Sequence, residues 1–322
     1  MNKIYIKSIY FKLQNILNKT KYLKNIITSN HLTILNLHRV SNEVNPFYPS
    51  LTPELFEELL KFITKEFNVI TFRDIEKYKN SKKPNIILSF DDGFYDFLEY
   101  AVPILDKFQV SVNQNIIPSC IESGEPVWDV KLGDILNQVS IETVNQIDFG
   151  ELKIKLTPNN KAQFGLALTH YLKQKSKQER ELLWNNIETI GKEREVQFTK
   201  MLNKAEVIKL SKTYEIGVHS YSHESMGIES QKYFKNDFFK CQEYFKKELN
   251  LPMDIYAFPS GSYKDYQLDF LQQNGINHIL LVNESYAKYT THFYERFTFY
   301  GNSTNEIKIR ALGWQRGKNN AI

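Results

Sequence analysis

Two short segments of the chain hold carboxylates and imidazoles at spacings that could bind a metal and hydrolyse a bond. The first is Ser89-Phe90-Asp91-Asp92-Gly93, which follows the apolar run Ile86-Ile87-Leu88 and precedes Phe94-Tyr95-Asp96-Phe97. A strand ending in two acids and a glycine places both acids at the C-terminal edge of a sheet, where α/β folds assemble their sites. Side chains alternate along a strand, so Asp91 and Asp92 point apart unless the chain bends, and Gly93 permits a bend. Two neighbouring carboxylates with different directions can divide two tasks, one as metal ligand and one as proton acceptor. Alone, the same residues also fit an ordinary Asp-Asp-Gly turn.

The second segment is Glu215-Ile216-Gly217-Val218-His219-Ser220-Tyr221-Ser222-His223, another short apolar strand running into polar residues. His219 and His223 are four apart, so one helical turn or a folded loop brings both imidazoles to one ion. With Asp92 they make a two-histidine, one-carboxylate site that leaves positions open for water and substrate. A zincin helix would need glutamate directly after the first histidine, and position 220 is serine.

Together, Ser-Phe-Asp-Asp-Gly at 89–93 and Gly-Val-His-Ser-Tyr-Ser-His at 217–223 resemble the polysaccharide deacetylase family, the fourth family of carbohydrate esterases. A third block, Ala257-Phe258-Pro259-Ser260-Gly261-Ser262-Tyr263, is similar to that family's Tyr-Pro-Tyr-Gly-type loop. Weaker similarity runs from Leu35-Asn36-Leu37-His38-Arg39-Val40 through Leu51–Phe56, so the likeness spans roughly 32–300 with a gap in the middle. It implies a metal-dependent N-deacetylase on a distorted (β/α) barrel. Carried onto this chain, Asp91 is the general base, and Asp92, His219 and His223 hold one divalent ion, usually zinc in this family. Pro259 lines the site, and the backbone N–H of Ser260 stabilises the oxyanion, a task indifferent to its side chain.

Two departures stand out. Many relatives have an arginine two residues before the proline that pairs with the catalytic aspartate; here it is Ala257. Many also have a late Leu-x-His supplying the general acid, and none follows residue 263; His278 and His292 lack that context. A subset of the family carries an early Tyr-His or Leu-His at the end of the first strand, and Leu37-His38 fits it. His38 is then the candidate general acid, or else a histidine satisfied at a strand end. Arg39 is the candidate substitute for the missing arginine.

The elements needed to position these residues are legible. Leu32 to Leu37 reads as the first strand, and Thr52-Pro53-Glu54 starts a helix with a hydroxyl cap and proline at its first position. Asn85 to Phe90, Val110 to Ile117, Ile255 to Phe258 and His278 to Val282 read as further strands. Helices are expected over Phe94 to Phe108, Lys204 to Lys212, Gln231 to Leu249 and Tyr266 to Asn274. This alternation predicts a parallel sheet closed by helices, an α/β fold of the barrel type. It breaks off over about 122–200, read as a mainly helical insertion with a possible hairpin at Gln146 to Leu156 and charged helices near Lys161–Lys173 and Lys177–Lys192. Its Trp128 could stack on a sugar face or simply pack.

The 322 residues, 42% hydrophobic, suffice for one large domain of this kind. A formal charge of +4 from 41 basic and 37 acidic residues gives no reason to expect a nucleic-acid partner. Two distant cysteines, Cys120 and Cys241, argue for a reduced compartment rather than a disulfide scaffold. No run approaches the roughly 20 apolar residues of a membrane span, and Met1 to Thr33 lacks a secretory core, so a cytoplasmic location is expected. Residues 1–31 form a basic segment in which Lys3, Lys7, Lys12, Lys19, Lys21 and Lys24 precede the first acid, Glu43. A basic amphipathic helix can lie on an anionic membrane, here the inner face, or pack on the domain with its lysines solvated. Residues 301–322 form a basic tail.

The leading expectation is a deacetylase acting on an N-acetylated glycan or glycolipid of a cell surface. The alternative is a carbohydrate-binding protein that keeps the metal site but turns over weakly or not at all, motivated by Ala257 and the absent late histidine. A third reading is a deacetylase of a small amide.

Overall fold

The computed structural model describes residues 3–43, 45–48 and 50–314, with side chains from residue 9 onward. Among the described residues, ten strands occur in chain order: β1 His31–Leu37, β2 Asn68–Val69, β3 Asn85–Phe90, β4 Asn113–Ile116, β5 Glu215–Val218, β6 Ile255–Ala257, β7 His278–Leu280, β8 Ala287–Lys288, β9 Phe293–Tyr294 and β10 Phe297–Thr298. The sheet runs β10-β1-β3-β4-β5-β6-β7-β9, with β2 beside β3 and β8 beside β1. Every pairing along this path is parallel, and only β8 is antiparallel. Two residues, Glu295 and Arg296, join β9 at one edge to β10 at the other. That short step nearly closes the sheet into a barrel with helices around it.

Alternation sorts the strand residues into two populations. Inside the barrel, Leu32, Ile34, Ile87, Ile255, Leu280 and Tyr294 form an apolar plug. Leu35, Leu88, Phe90, Val218, Tyr256 and Ile279 face the surrounding helices in the main core. Beyond the plug the interior turns polar with the buried Asn36, Ser89, Asn113, Asn115 and Arg296, so the carboxyl ends of the strands open onto a polar floor.

The helix Pro53–Glu66 starts as its sequence demands, with the Thr52 hydroxyl accepting from the Leu55 N–H at 3.3 Å. The stretch expected as one helix after β3 is interrupted by a π segment, Phe97–Ala101, before Val102–Phe108. The insertion contains helices Trp128–Gln138, Ile141–Val144, Lys161–Lys173 and Lys177–Glu193 around a core of its own that includes Phe149, Phe164, Leu168 and Trp184. The hairpin expected at Gln146 to Leu156 does not form. The Asn145 side chain grips Leu156 instead, donating to its carbonyl at 2.9 Å and accepting from its N–H at 2.8 Å, in place of a strand ladder. Of the basic tail, Thr304–Ala311 is helical, and 315–322 lie outside the described residues. Among the described residues, no helix is long and apolar enough to cross a membrane.

Candidate metal centre and hydrolytic site

The barrel register brings the sequence-predicted residues to one edge. Leu37 pairs with Phe90 in parallel register, so His38 and Asp91 emerge level with each other. β5 delivers His219 from its end, and the chain then folds back to His223 in a loop rather than a helix. A cavity of about 510 Å³ opens here, with Asp91, Asp92, His219, His223 and His38 in its wall.

The turn that separates the two aspartates sits at Asp92 itself, whose φ is 79°, with Gly93 following at 80°. Ser220, His223 and Ser260 also have left-handed backbones, at 57°, 58° and 55°. Such conformations are unfavourable for residues with a Cβ and persist where surrounding contacts enforce them. One such contact is the Ser220 hydroxyl accepting from the His223 N–H at 2.8 Å.

Asp92, His219 and His223 are all buried, and one potential ligand atom of each lies within 4.8 Å of the others. Asp92 Oδ1 stands 3.6 Å from His219 Nε2 and 3.5 Å from His223 Nε2. Among the described residues it has no hydrogen-bond partner, while Oδ2 accepts from the Tyr48 hydroxyl at 3.0 Å. His219 donates its Nδ1–H to the Ala257 carbonyl at 2.9 Å, so in the neutral ring Nε2, which faces Asp92, is the nitrogen that carries the lone pair. A bare buried carboxylate oxygen between imidazole nitrogens, one with its tautomer fixed from behind, is the donor set a divalent ion requires. Without a cation, burial next to Asp91 and Asp129 pushes the Asp92 carboxyl up to about 6, and burial lowers His223 to about 3.

Asp91 is in the opposite situation. Arg296 grips it with both terminal nitrogens, Nη1 to Oδ1 at 2.8 Å and Nη2 to Oδ2 at 2.9 Å, and Asn115 donates to Oδ1 at 2.7 Å. Burial alone would raise this carboxyl, but the Arg296 guanidinium and His219 hold it well below the usual carboxylate range. Arg296 is 0% exposed and also donates to the Leu281 carbonyl, Asn36 and Ser89. It emerges from the break between β9 and β10, far in sequence from Ala257.

Arg39 does not take this place. It pairs with Asp96 at 2.6 Å and Glu43 at 2.7 Å, because its neighbour His38 takes the inward direction on the strand. Trp128 is likewise not part of the cavity wall. Arg180 covers its ring at 4.5 Å and Trp184 meets it edge-on at 6.2 Å, so it packs within the insertion, and the aromatic residues lining the cavity include Phe47, Tyr48 and Tyr300. Ser260 lines the cavity, and Pro259 is buried beside it. His278 lies at the opposite end of the barrel, between Phe72 and Tyr294, and His292 bonds the Asn277 carbonyl. Past β7 the cavity-lining residue is Val282, so this strand offers no proton donor. His38 has burial acting to lower its pKa, opposed by the charge of Asp91.

The insertion reaches the site as well. Its Asp129 places Oδ1 3.9 Å from His223 Nδ1, and Lys173 pairs with the same carboxylate at 2.9 Å. Burial would raise Asp129, but the charge and hydrogen bond of Lys173 hold it well below the usual carboxylate range.

A polysaccharide deacetylase family model matches residues 170–279. No curated protein sequence matches the chain. Among solved structures, the chain is similar to the Streptococcus pyogenes deacetylase PplD in complex with acetate, with TM-score 0.58, 15% identity and coverage of 88% of this chain and 98% of that one. It is also similar to IcaB from Ammonifex degensii, with TM-score 0.55, 13% identity and coverage of 88% and 97%. A de-N-acetylase from Aggregatibacter actinomycetemcomitans gives TM-score 0.55, 16% identity and coverage of 86% and 99%. The chain has the fold of the polysaccharide deacetylases and resembles that family in sequence.

Proposed function

We propose that this protein is a metal-dependent N-deacetylase that removes the acetyl group from an acetylated sugar of a surface polysaccharide or glycolipid. The observation that carries the reading is the division of labour between Asp91 and Asp92. One is clamped by Arg296 and Asn115, and the other leaves an oxygen bare between two imidazoles. Asp92, His219 and His223 would hold the ion, zinc in most of the family, which when bound polarises the acetamide carbonyl and makes water more acidic. Asp91, kept ionised by Arg296, accepts a proton from the attacking water. The backbone N–H of Ser260 faces the oxygen that gains charge. As the C–N bond breaks and the new C–O bond yields acetate, the leaving nitrogen takes a proton, for which His38 is the candidate donor. Phe47, Tyr48 and Tyr300 give the cavity aromatic walls suited to a sugar face.

The bidentate Arg296–Asp91 pair weakens the case for a binding-only protein that rested on Ala257, since metal binding alone does not call for an oriented second carboxylate. The test is acetate release from a panel of N-acetylated oligosaccharides by the zinc-loaded protein. Release from glycans supports the reading. Metal binding without release from any glycan returns the protein to a binding role.

A further inference from the structure

The helix Lys3–Thr28 presents one apolar face to the protein and a second one away from it. Phe11, Tyr22 and Ile26 are buried. Phe11 meets the Trp314 ring edge-on at 5.3 Å, and Asn15 donates to the Asn305 carbonyl at 2.6 Å. On the far side, Ile9, Leu13, Ile16 and Leu17 recur at the spacing of a single helical face. Leu13, Ile16 and Leu17 are 52%, 68% and 72% exposed, and Ile9 and Tyr10 are exposed beside them. Scattered exposed leucines are ordinary, whereas an apolar patch of this kind, over residues 9–17 of one helix face, marks a surface that is covered in use.

The charges around the stripe identify its cover. The helix contains no acidic residue, and Lys12, Lys21 and Lys24 are exposed on it. Along one flank, beside Ile16, a groove of about 420 Å³ is lined by Lys19, Lys61, Lys65 and Lys308. Lys19 pairs with Glu66 at 3.0 Å, Lys61 with Glu57 and Glu58, and Lys308 with Glu58 at 3.8 Å; Lys65 has no carboxylate partner among the described residues.

We infer that this helix docks the protein on an anionic lipid surface. The stripe enters the boundary between headgroups and acyl chains, and the flanking lysines meet the lipid phosphates. A second copy of the chain fits less well, because apposing two such stripes would bring like-charged lysines together with no acid on either helix. Packing and docking are compatible, since the two apolar faces point nearly opposite ways.

The experiment is sedimentation of the full chain with phosphatidylcholine vesicles containing about one-third phosphatidylglycerol, and with phosphatidylcholine alone. The wild type should bind the anionic vesicles, and binding should weaken as salt rises. The combined substitution Leu13→Gln, Ile16→Gln, Leu17→Gln should cut binding by more than about tenfold, given three apolar side chains removed from the bilayer. Because those side chains are exposed, far-UV circular dichroism and zinc content should be unchanged. Lys12→Glu with Lys21→Glu should lose the preference for anionic vesicles. Absence of wild-type binding, or binding that the triple variant retains, overturns the inference. So does a dimer that the triple variant dissociates.

Discussion

The two halves of the site are built differently. The half around Asp91 is made by barrel strands and the step between β9 and β10. Asn115 comes from a strand position fixed by the sheet register and Arg296 from the two-residue step, and each carboxylate oxygen has a donor. The half around Asp92 is made by chain bends. Asp92 and His223 have left-handed backbones, Tyr48 comes from a loop, and Asp129 and Lys173 come from the insertion. The contrast fits the proposed roles: a base must be held in one ionisation state and direction, and Asp91 is saturated with donors, whereas a metal ligand must keep a lone pair open, and Asp92 has one oxygen satisfied and one bare.

The comparison can be broken from either side. His219→Ala removes one of the three proposed ligands, the one a strand end delivers beside Asp92, and the purified protein should lose most of its metal and all measurable turnover, read by elemental analysis and acetate release. Arg296→Leu attacks the strand-built half. Leaving Asp91 buried without its counter-charge should lower unfolding free energy by about 3 to 5 kcal/mol in denaturant titrations, with turnover collapsing in the fraction that folds. His38→Ala should keep metal and fold but lose about 10² or more in amide hydrolysis. It should spare an activated ester, whose leaving group needs no proton; equal losses on both substrates would assign His38 a structural role. The smallest effect is expected from Gly217→Ala. A Cβ there would collide with Asn115 Oδ1 and Ile255, so Asn115 must shift away from Asp91. A melting-temperature drop equivalent to about 1 to 3 kcal/mol and a moderate loss of turnover should follow, with metal retained.

The sequence revealed these halves unequally. Asp91, Asp92 and His219 are readable because each sits at the end of an apolar run, and His223 because it lies four residues after His219. Local spacing carried that information. Arg296 is not legible in this way, because its partner is 205 positions away and the longer apolar strand runs end near Val282. The signal lay in Phe293-Tyr294-Glu295-Arg296-Phe297-Thr298, a β-rich stretch in which one arginine holds an inward position. Arg39 was favoured by proximity to His38, but consecutive strand residues face opposite sides, and outward it meets Asp96. For Trp128 the sequence leaves stacking on a sugar and packing both open, and packing wins because the insertion has its own core to fill. The Gln146–Leu156 region followed side-chain capping by Asn145, which outcompetes a marginal hairpin.

The central claim is that adjacent carboxylates divide the work, and Asp91→Asn tests it most directly. The amide keeps the shape of the carboxylate but cannot accept a proton from water. Zinc content and acetate release should be measured side by side on Asp91→Asn and Asp92→Asn. The account predicts that Asp91→Asn retains its metal while turnover falls by about 10² to 10⁴, and that Asp92→Asn loses both. An Asp91→Asn protein that stays fully active, or one that loses its metal as completely as Asp92→Asn, would contradict it.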